Sequence, residues 1–119
     1  MDSSKKDMGK YGEELAATLL MDKGFEIIKK NYRYGKGEID IVANDGDTLV
    51  FIEVKTRTNL NYGEPELAIT KNKVNQLRKI GSMYCYENNI ENKLIRFDVI
   101  AIMMDDITKP KINHIENAF

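Results

Sequence analysis

Hydrophobic and polar residues form two adjacent apolar segments near the middle of the chain, separated by a short polar turn. Ile39, Ile41 and Val42 precede the turn, and mainly apolar residues follow it at positions 48–54. The turn contains Asp45-Gly46, and this dipeptide between apolar runs is typical of a β-hairpin because a type I′ turn needs positive φ at both central positions. The pattern therefore predicts two antiparallel strands whose turn is centred on Asp45-Gly46.

This turn also predicts a register, in which Asp40 lies opposite Phe51 and Glu38 lies opposite Glu53. Side chains alternate between the faces of a strand, and directly opposed residues share a face. The register therefore places four ionisable residues on one face of the hairpin, namely Glu38, Asp40, Glu53 and Lys55. The opposite face receives four apolar residues, namely Ile39, Ile41, Ile52 and Val54.

Three carboxylates on one face need a stabilising partner, because like charges opposite each other destabilise a hairpin. Glu53 also interrupts an otherwise apolar strand. A divalent cation such as Mg²⁺ binds carboxylate oxygens and keeps several waters for substrate phosphates. The alternative is a solvated face on which Glu53 and Lys55 form a surface ion pair that contributes ~0–1 kcal/mol. Asp40 on the same face favours the metal site.

Apolar residues at helical spacing predict two helices. The first runs from about residue 8 to residue 23, and Gly24 ends it. The second runs over residues 71–87, and the Thr70 side chain can cap its first turn. Glu13 lies at the margin of the apolar stripe of the first helix. It is either a solvated residue or an additional acid that the helix brings to the acidic face of the hairpin.

Three further segments have the pattern of strands. Residues 25–33 precede the hairpin, residues 94–104 form a near-continuous apolar run typical of a buried strand, and residues 112–115 form a short edge strand. Asp98 inside the buried run needs a partner, and Arg96 lies two residues away on the same face. The order of helix, three strands, helix and two strands predicts an α/β domain with a mixed central sheet flanked by helices.

Basic residues lie close in sequence to the predicted acidic face. Arg33 and Lys36 belong to a basic group before the hairpin, and Lys73 sits near the buried edge of the second helix. Such clusters either contact phosphates or form a solvated surface, on which Lys73 would extend its alkyl chain over apolar neighbours. The polar connection at residues 58–67 is long enough to be a functional loop beside the site.

Composition narrows the class of protein. The 119 residues, with 42% hydrophobic and 31% charged residues, suit one soluble domain, here residues 8–119 after a flexible N-terminus at residues 1–7. The net charge of −1 leaves nucleic-acid binding to local clusters. The single cysteine, Cys85, excludes an internal disulfide and fits a reducing cytosol. Without a signal-peptide or membrane segment, we expect a cytoplasmic protein that does not contact membranes.

As a set, these motifs resemble the YraN family of small uncharacterised bacterial proteins, placed within the restriction-endonuclease-like PD-(D/E)xK nuclease superfamily. The resemblance extends over residues 9–119. The matching segments are Gly12-Glu13, Asn31-Tyr32-Arg33, Gly37-Glu38-Ile39-Asp40, residues 51–57, Tyr62-Gly63, Lys73 and Arg96-Phe97-Asp98-Val99. Ile39 stands where the superfamily motif has proline, as it does in the YraN-like pattern. The resemblance implies a restriction-endonuclease-like core.

The resemblance also implies roles for individual residues. Asp40 and Glu53 would bind Mg²⁺ or Mn²⁺, and Lys55 would be catalytic. Glu13 matches the helix acid of Holliday-junction resolvases, whereas Glu38 and Arg57 belong to the YraN-like pattern without an assigned role. With the acidic face of the hairpin in view, we expect Glu13 or Glu38 to complete the metal ligands. The candidate nucleic-acid-binding residues are Arg57, Lys73, Arg33 and Lys36.

The sequence thus favours a metal-dependent nuclease, or a nuclease-derived DNA-processing protein, that hydrolyses phosphodiester bonds. Its partner would be DNA, and a homodimer is expected by analogy with related nucleases that pair two sites. The alternative is a catalytically inactive nucleic-acid-binding module within a larger recombination or DNA-uptake assembly. A third hypothesis is a protein–protein adaptor, in which the acidic cluster would meet basic residues of a partner.

Overall fold

A computed structural model describes residues 3–59 and 69–119 and, for residues 3–6, the backbone only. The helices and strands follow one another in the predicted order. Their bounds are α1 Ser3–Asp22, β1 Glu26–Tyr34, β2 Gly37–Asp45, β3 Thr48–Arg57, α2 Lys71–Glu87, β4 Leu94–Met103 and β5 Lys111–Ile115. Neither described helix is long and apolar enough to cross a membrane.

The five strands form one mixed sheet in the order β1-β2-β3-β4-β5. Strands β3 and β4 are parallel, and the other neighbours are antiparallel. Parallel neighbours need a crossover connection, and α2 lies within the one that joins β3 to β4. The predicted mixed sheet flanked by helices is confirmed, and the arrangement is that of a restriction-endonuclease-like core.

Helix α1 covers one face of the sheet and α2 the other, so that the domain has two hydrophobic cores. The α1-side core includes Ala16, Leu20, Ile41, Val50, Ile52, Ile100 and Ile102. The α2-side core includes Val42, Leu49, Phe51, Leu77, Ile80 and Tyr84. Strands β2 and β3 contribute to both cores, which makes any ionisable side chain on them costly to bury without a partner.

The register of the β2–β3 hairpin differs from the prediction by two residues. Asp45 pairs with Thr48, so the two-residue loop is Gly46-Asp47 and not Asp45-Gly46. Gly46 has a φ of +59°, which suits a type II′ turn because only its first central residue needs positive φ. Phe51 pairs with Val42, and Asp40 therefore does not lie opposite Phe51 as predicted.

Element bounds otherwise agree closely with the predictions. The Thr70 hydroxyl accepts a hydrogen bond from the Lys73 backbone N–H at 3.1 Å, which confirms the predicted cap of α2. Helix α1 begins at Ser3 and not near residue 8, so part of the segment predicted as a flexible N-terminus is helical. Residues 5–8 contain no helix breaker, which allows this extension. The predicted functional loop extends into residues 60–68, which lie outside the described residues.

Asp98 is fully buried in β4 and is held by three partners. Arg96 donates to both carboxylate oxygens, from Nε at 2.9 Å and from Nη2 at 3.0 Å, as predicted for this pair. His114 Nε2 lies 2.8 Å from Oδ2, and the Asn117 backbone N–H donates to Oδ1. Arg96 also donates to Asp45 at the hairpin turn. Burial by itself would raise the pKa of Asp98, but the hydrogen bonds from His114 and Arg96 lower it below its usual range.

Candidate metal centre

Two glycines allow both helices to approach the hairpin closely at its open end, opposite the turn. A Cβ atom at Gly12 of α1 would overlap the side chain of Thr56 near the end of β3. A Cβ atom at Gly37, where β2 begins, would overlap the side chain of Ile80 from α2. Both helices are therefore close enough to the sheet for their side chains to reach this end of the hairpin.

Asp40 lies where regular pairing between β2 and β3 ends. The paired positions run from the turn to Ile41 and Ile52. Beyond Ile41 and Ile52, the backbone N–H of Val54 donates to Asp40 Oδ2 at 2.7 Å. The Asp40 side chain thus accepts the hydrogen bond that a backbone carbonyl of β2 would accept in a regular ladder. The Asp40 carboxylate is consequently held at the junction of the two strands, and its side chain is 7% exposed.

Three carboxylates converge at this junction. Glu13 from α1 and Glu38 and Asp40 from β2 each place one oxygen within 4.8 Å of the others. Helix α1 thus brings Glu13 to the acidic residues, which was one of the two placements that the sequence allowed. Hard divalent cations bind such sets of carboxylate oxygens.

Glu53 lies beside Asp40 but outside the group of three acids whose oxygens are within 4.8 Å of one another, and one of its oxygens has no hydrogen bond. Its residue is 7% exposed, and its carboxyl group is within hydrogen-bonding reach of Asp40. Oε2 is buried and has no hydrogen-bond partner. Lys73 Nζ of α2 lies 3.5 Å from this oxygen, an ion-pair distance without hydrogen-bond geometry. A buried carboxylate oxygen without a hydrogen bond is rare, and a cation at the cluster would supply a closer interaction than the Lys73 ammonium does.

Burial, together with crowding of negative charge, raises the pKa of two of these acids. For Asp40 the largest cause is burial, followed by the hydrogen bond and the charge of Glu53. For Glu13 the causes are burial and then the charges of Glu38 and Glu53. A divalent cation would counter all of these effects, because its positive charge favours the ionised carboxylates. Glu13, Glu38 and Asp40 therefore fit a metal ion in donor type and spacing, and the charge of Glu53 beside them adds to the electrostatic case.

The predicted division of the hairpin into an ionisable and an apolar face is wrong at Ile39. Ile41, Ile52 and Val54 pack on the α1 side, whereas Ile39 packs on the α2 side with Tyr32. Strict alternation requires an uninterrupted ladder, and the ladder between β2 and β3 ends beside Asp40. The acidic cluster is consequently approached from both helix layers. Helix α1 contributes Glu13, and α2 contributes Lys73, which approaches Glu53.

Lys55 is half-buried on β3, two residues after Glu53. It forms no ion pair with any residue in the described part of the chain. Arg57 is also half-buried, and its Nη1 donates to the carbonyl oxygen of Thr56 at 3.0 Å. Arg33 is exposed and pairs with Glu38 at 3.0 Å. Of these three cations, Arg33 contacts an acid of the cluster, whereas Lys55 and Arg57 are close to Glu53 in sequence.

Lys36 occupies the turn between β1 and β2 and is exposed. It precedes Gly37, with which the cluster-bearing strand begins. Lys73 is the only predicted nucleic-acid-binding residue on α2 and contacts the cluster through Glu53. The predicted basic residues thus lie close to the acids in sequence or in space, while their roles stay predictions.

Asn31 is a residue of this site that the sequence did not single out as functional. Its Nδ2 donates to Glu13 Oε1 at 3.2 Å, and its Oδ1 is buried without a partner. Asn31 has a φ of +56° inside β1. An asparagine within a strand is unusual, because the residue is depleted there and tolerates the left-handed conformation. That mismatch was the available signal in the sequence.

Comparison with known proteins places the chain in a family. The model of the uncharacterised protein family UPF0102 matches residues 12–102. A UPF0102 protein of Geotalea daltonii is 44% identical over 98% of this chain and 92% of its own length. One from Rhodococcus opacus is 43% identical over 94% and 95%, and one from Clostridioides difficile is 40% identical over 98% and 99%. The chain belongs to the uncharacterised protein family UPF0102, the family that its YraN-like motifs indicated.

Proposed function

We propose that this protein is a metal-dependent nuclease that hydrolyses phosphodiester bonds, with DNA as substrate. The observation that carries the proposal is the buried Oε2 of Glu53, which lacks a hydrogen-bond partner beside the acidic side chain of Asp40. Buried carboxylate oxygens are normally hydrogen-bonded, and the Lys73 ammonium at 3.5 Å offers Oε2 charge but no hydrogen bond. A cation that is bound during function accounts for it.

The donor set indicates which cation. Asp40 and Glu53 would bind it from the two strands, with Glu13 and Glu38 completing the ligands. All four donors are carboxylates, which suit Mg²⁺ or Mn²⁺ better than metals that prefer thiolate or imidazole. When bound, such a cation supplies positive charge that polarises a phosphate and lowers the pKa of a water.

The basic residues would handle the substrate. Lys55, two residues after Glu53 on the same strand, would orient the attacking water and stabilise charge that develops on the phosphate. Arg33, Lys36, Arg57 and Lys73 would contact neighbouring phosphates, which positions the backbone without reading sequence.

The test is a cleavage screen of purified protein on duplex, single-stranded and branched DNA with Mg²⁺ or Mn²⁺. We expect cleavage of at least one form, lost on addition of chelator. Asp40→Asn and Lys55→Ala should abolish it while the circular dichroism spectrum is unchanged. Glu14→Gln and Lys79→Ala, which alter exposed residues on α1 and α2, are the matched controls and should retain activity. Intact DNA of all three forms with both metals would refute nuclease activity on DNA.

A second candidate function is a nucleic-acid-binding module without turnover, acting within a recombination or DNA-uptake assembly. The observation that favours it is internal neutralisation of the acids, since Arg33 pairs with Glu38 and Lys73 approaches Glu53. Its signature would be DNA affinity that falls steeply with salt but does not change with chelator. Affinity that requires Mg²⁺ or Mn²⁺ would instead favour the nuclease.

A further inference from the structure

We propose that Asn31 is a neutral oxygen ligand of the acidic centre, whose side-chain carbonyl binds the same divalent cation as Asp40 and Glu53. This inference rests on the metal binding proposed above and adds a ligand that is not a carboxylate. Asn31 also fixes Glu13 through its amide nitrogen, and both ends of one side chain therefore serve the site.

The backbone of Asn31 is the first observation. Its φ of +56° lies in the left-handed region, although the neighbours on either side continue to pair with β2, Lys30 with Ile41 and Tyr32 with Ile39. Asparagine adopts this conformation more readily than other non-glycine residues, but within a paired strand it is an exception to the extended backbone. Such residues persist where the surroundings impose them, and they cluster at functional sites.

The side chain of Asn31 is the second observation. Nδ2 donates to Glu13 Oε1 at 3.2 Å, and a carboxylate oxygen accepts only from the N–H end of an amide. The other end is consequently the carbonyl oxygen, which belongs to the same planar group and lies next to the cluster. This Oδ1 is buried and has no partner.

The third observation is that one other buried side-chain oxygen in the described residues also lacks a hydrogen-bond partner. Within residues 3–59 and 69–119, the buried side-chain polar atoms without a hydrogen-bond partner are Asn31 Oδ1 and Glu53 Oε2. Both are oxygens, and both residues interact with Glu13, Asn31 through a hydrogen bond and Glu53 through its charge. Divalent cations such as Ca²⁺ and Mg²⁺ accept amide and carboxylate oxygens alike, so one ion would satisfy both atoms.

The chain supplies a matched control for the backbone. Asn92 also has a left-handed φ, +57°, but it lies in the segment before β4 and is exposed. Replacement by glycine or aspartate preserves access to positive φ at either position. Any effect seen at residue 31 but not at residue 92 is therefore due to the Asn31 side chain.

The experiment is a calorimetric titration of Mn²⁺ into the full chain, with no DNA present. Asn31→Gly should weaken binding about tenfold, within the range found for loss of groups that support a metal site. Asn31→Asp should bind Mn²⁺ at least as tightly as the wild type, because it retains an oxygen at the same place and adds charge. Asn92→Gly and Asn92→Asp should bind like the wild type.

Three results would contradict the assignment, and each has a different meaning. Wild-type affinity in Asn31→Gly would show that the side chain contributes nothing to metal binding. Weak binding in both Asn31→Gly and Asn31→Asp would assign Asn31 only the positioning of Glu13 through Nδ2, which overturns the ligand role. A wild-type protein that does not bind Mn²⁺ would overturn the proposed metal centre itself, and the ligand role with it.

Discussion

Replacement of Gly12 by alanine tests how closely α1 must approach the sheet for Glu13 to reach the acidic cluster. A Cβ atom at position 12 would overlap Thr56 Oγ1 and lie 3.2 and 3.3 Å from Thr56 Cβ and Cγ2. Thr56 is β-branched and belongs to β3, so its side chain has little freedom to move aside. The helix must then shift outward, and Glu13 must shift with it.

The expected free energy is the sum of two opposing effects. Alanine is favoured over glycine in a helix by about 1 kcal/mol. Overpacking against Thr56 costs about 1–3 kcal/mol. Gly9 lies on the same helix and has nothing within 4 Å of an added Cβ atom, so Gly9→Ala measures the helix preference alone. The two alanine variants should therefore differ in unfolding free energy by about 1–3 kcal/mol, which is the cost of the overlap.

Urea unfolding followed by circular dichroism measures this difference as a shift of the midpoint at constant slope. Thr56→Ala should restore much of the lost stability when combined with Gly12→Ala, because it removes the overlapping atoms. Mn²⁺ affinity should fall in Gly12→Ala and stay unchanged in Gly9→Ala. Equal stabilisation by the two alanine substitutions would refute the close approach of α1, and equal Mn²⁺ affinity would separate that approach from metal binding.

Three further substitutions test the buried polar groups. Asp98→Asn should destabilise the protein by up to about 3–5 kcal/mol at pH 7, because it removes the fully buried carboxylate that pairs with Arg96 and leaves the guanidinium with the more exposed Asp45 and Glu116. The deficit should shrink in acid, since the lowered pKa of Asp98 means that its stabilisation is lost as pH falls. Asp40→Asn should raise the melting temperature in chelator at pH 7–8 but not near pH 4, because a carboxyl group with a raised pKa destabilises the fold as pH rises. Tyr32→Phe removes the hydrogen bond to Glu87 and should cost about 1–2 kcal/mol in urea unfolding.

The hairpin shows how far local sequence determines strand pairing. Asp45-Gly46 and Gly46-Asp47 are both acceptable two-residue turns, and the two choices differ by two residues in register. Val42 would meet Leu49 in one register and meets Phe51 in the other. Both partners are apolar and both registers keep the same side chains on each face, so the alternation of residues could not distinguish them.

The acidic site was predictable in its members but not in its shape. The charge of Glu53 inside an apolar strand and the spacing to Asp40 identified the cluster, and the helical stripe allowed for Glu13. The break in the alternation of side chains between the two faces at Ile39 depends on a hydrogen bond from the Val54 backbone N–H to the Asp40 side chain. The contribution of Asn31 depends on a left-handed φ in a strand. The first feature is a contact between two strands that no local pattern encodes, and the second had only the asparagine within a strand as its signal in the sequence.

The guanidinium of Arg96 has a mechanical consequence for the acidic cluster. It bonds to Asp98 in β4 and to Asp45 at the hairpin turn, which ties that end of β2 to the centre of the sheet. Backbone pairing between β2 and β3 runs from this tie only as far as Ile41. At the acidic end the separation of β2 and β3 is therefore set by their outer neighbours, because β2 stays paired with β1 as far as Gly37 and β3 stays paired with β4 as far as Arg57.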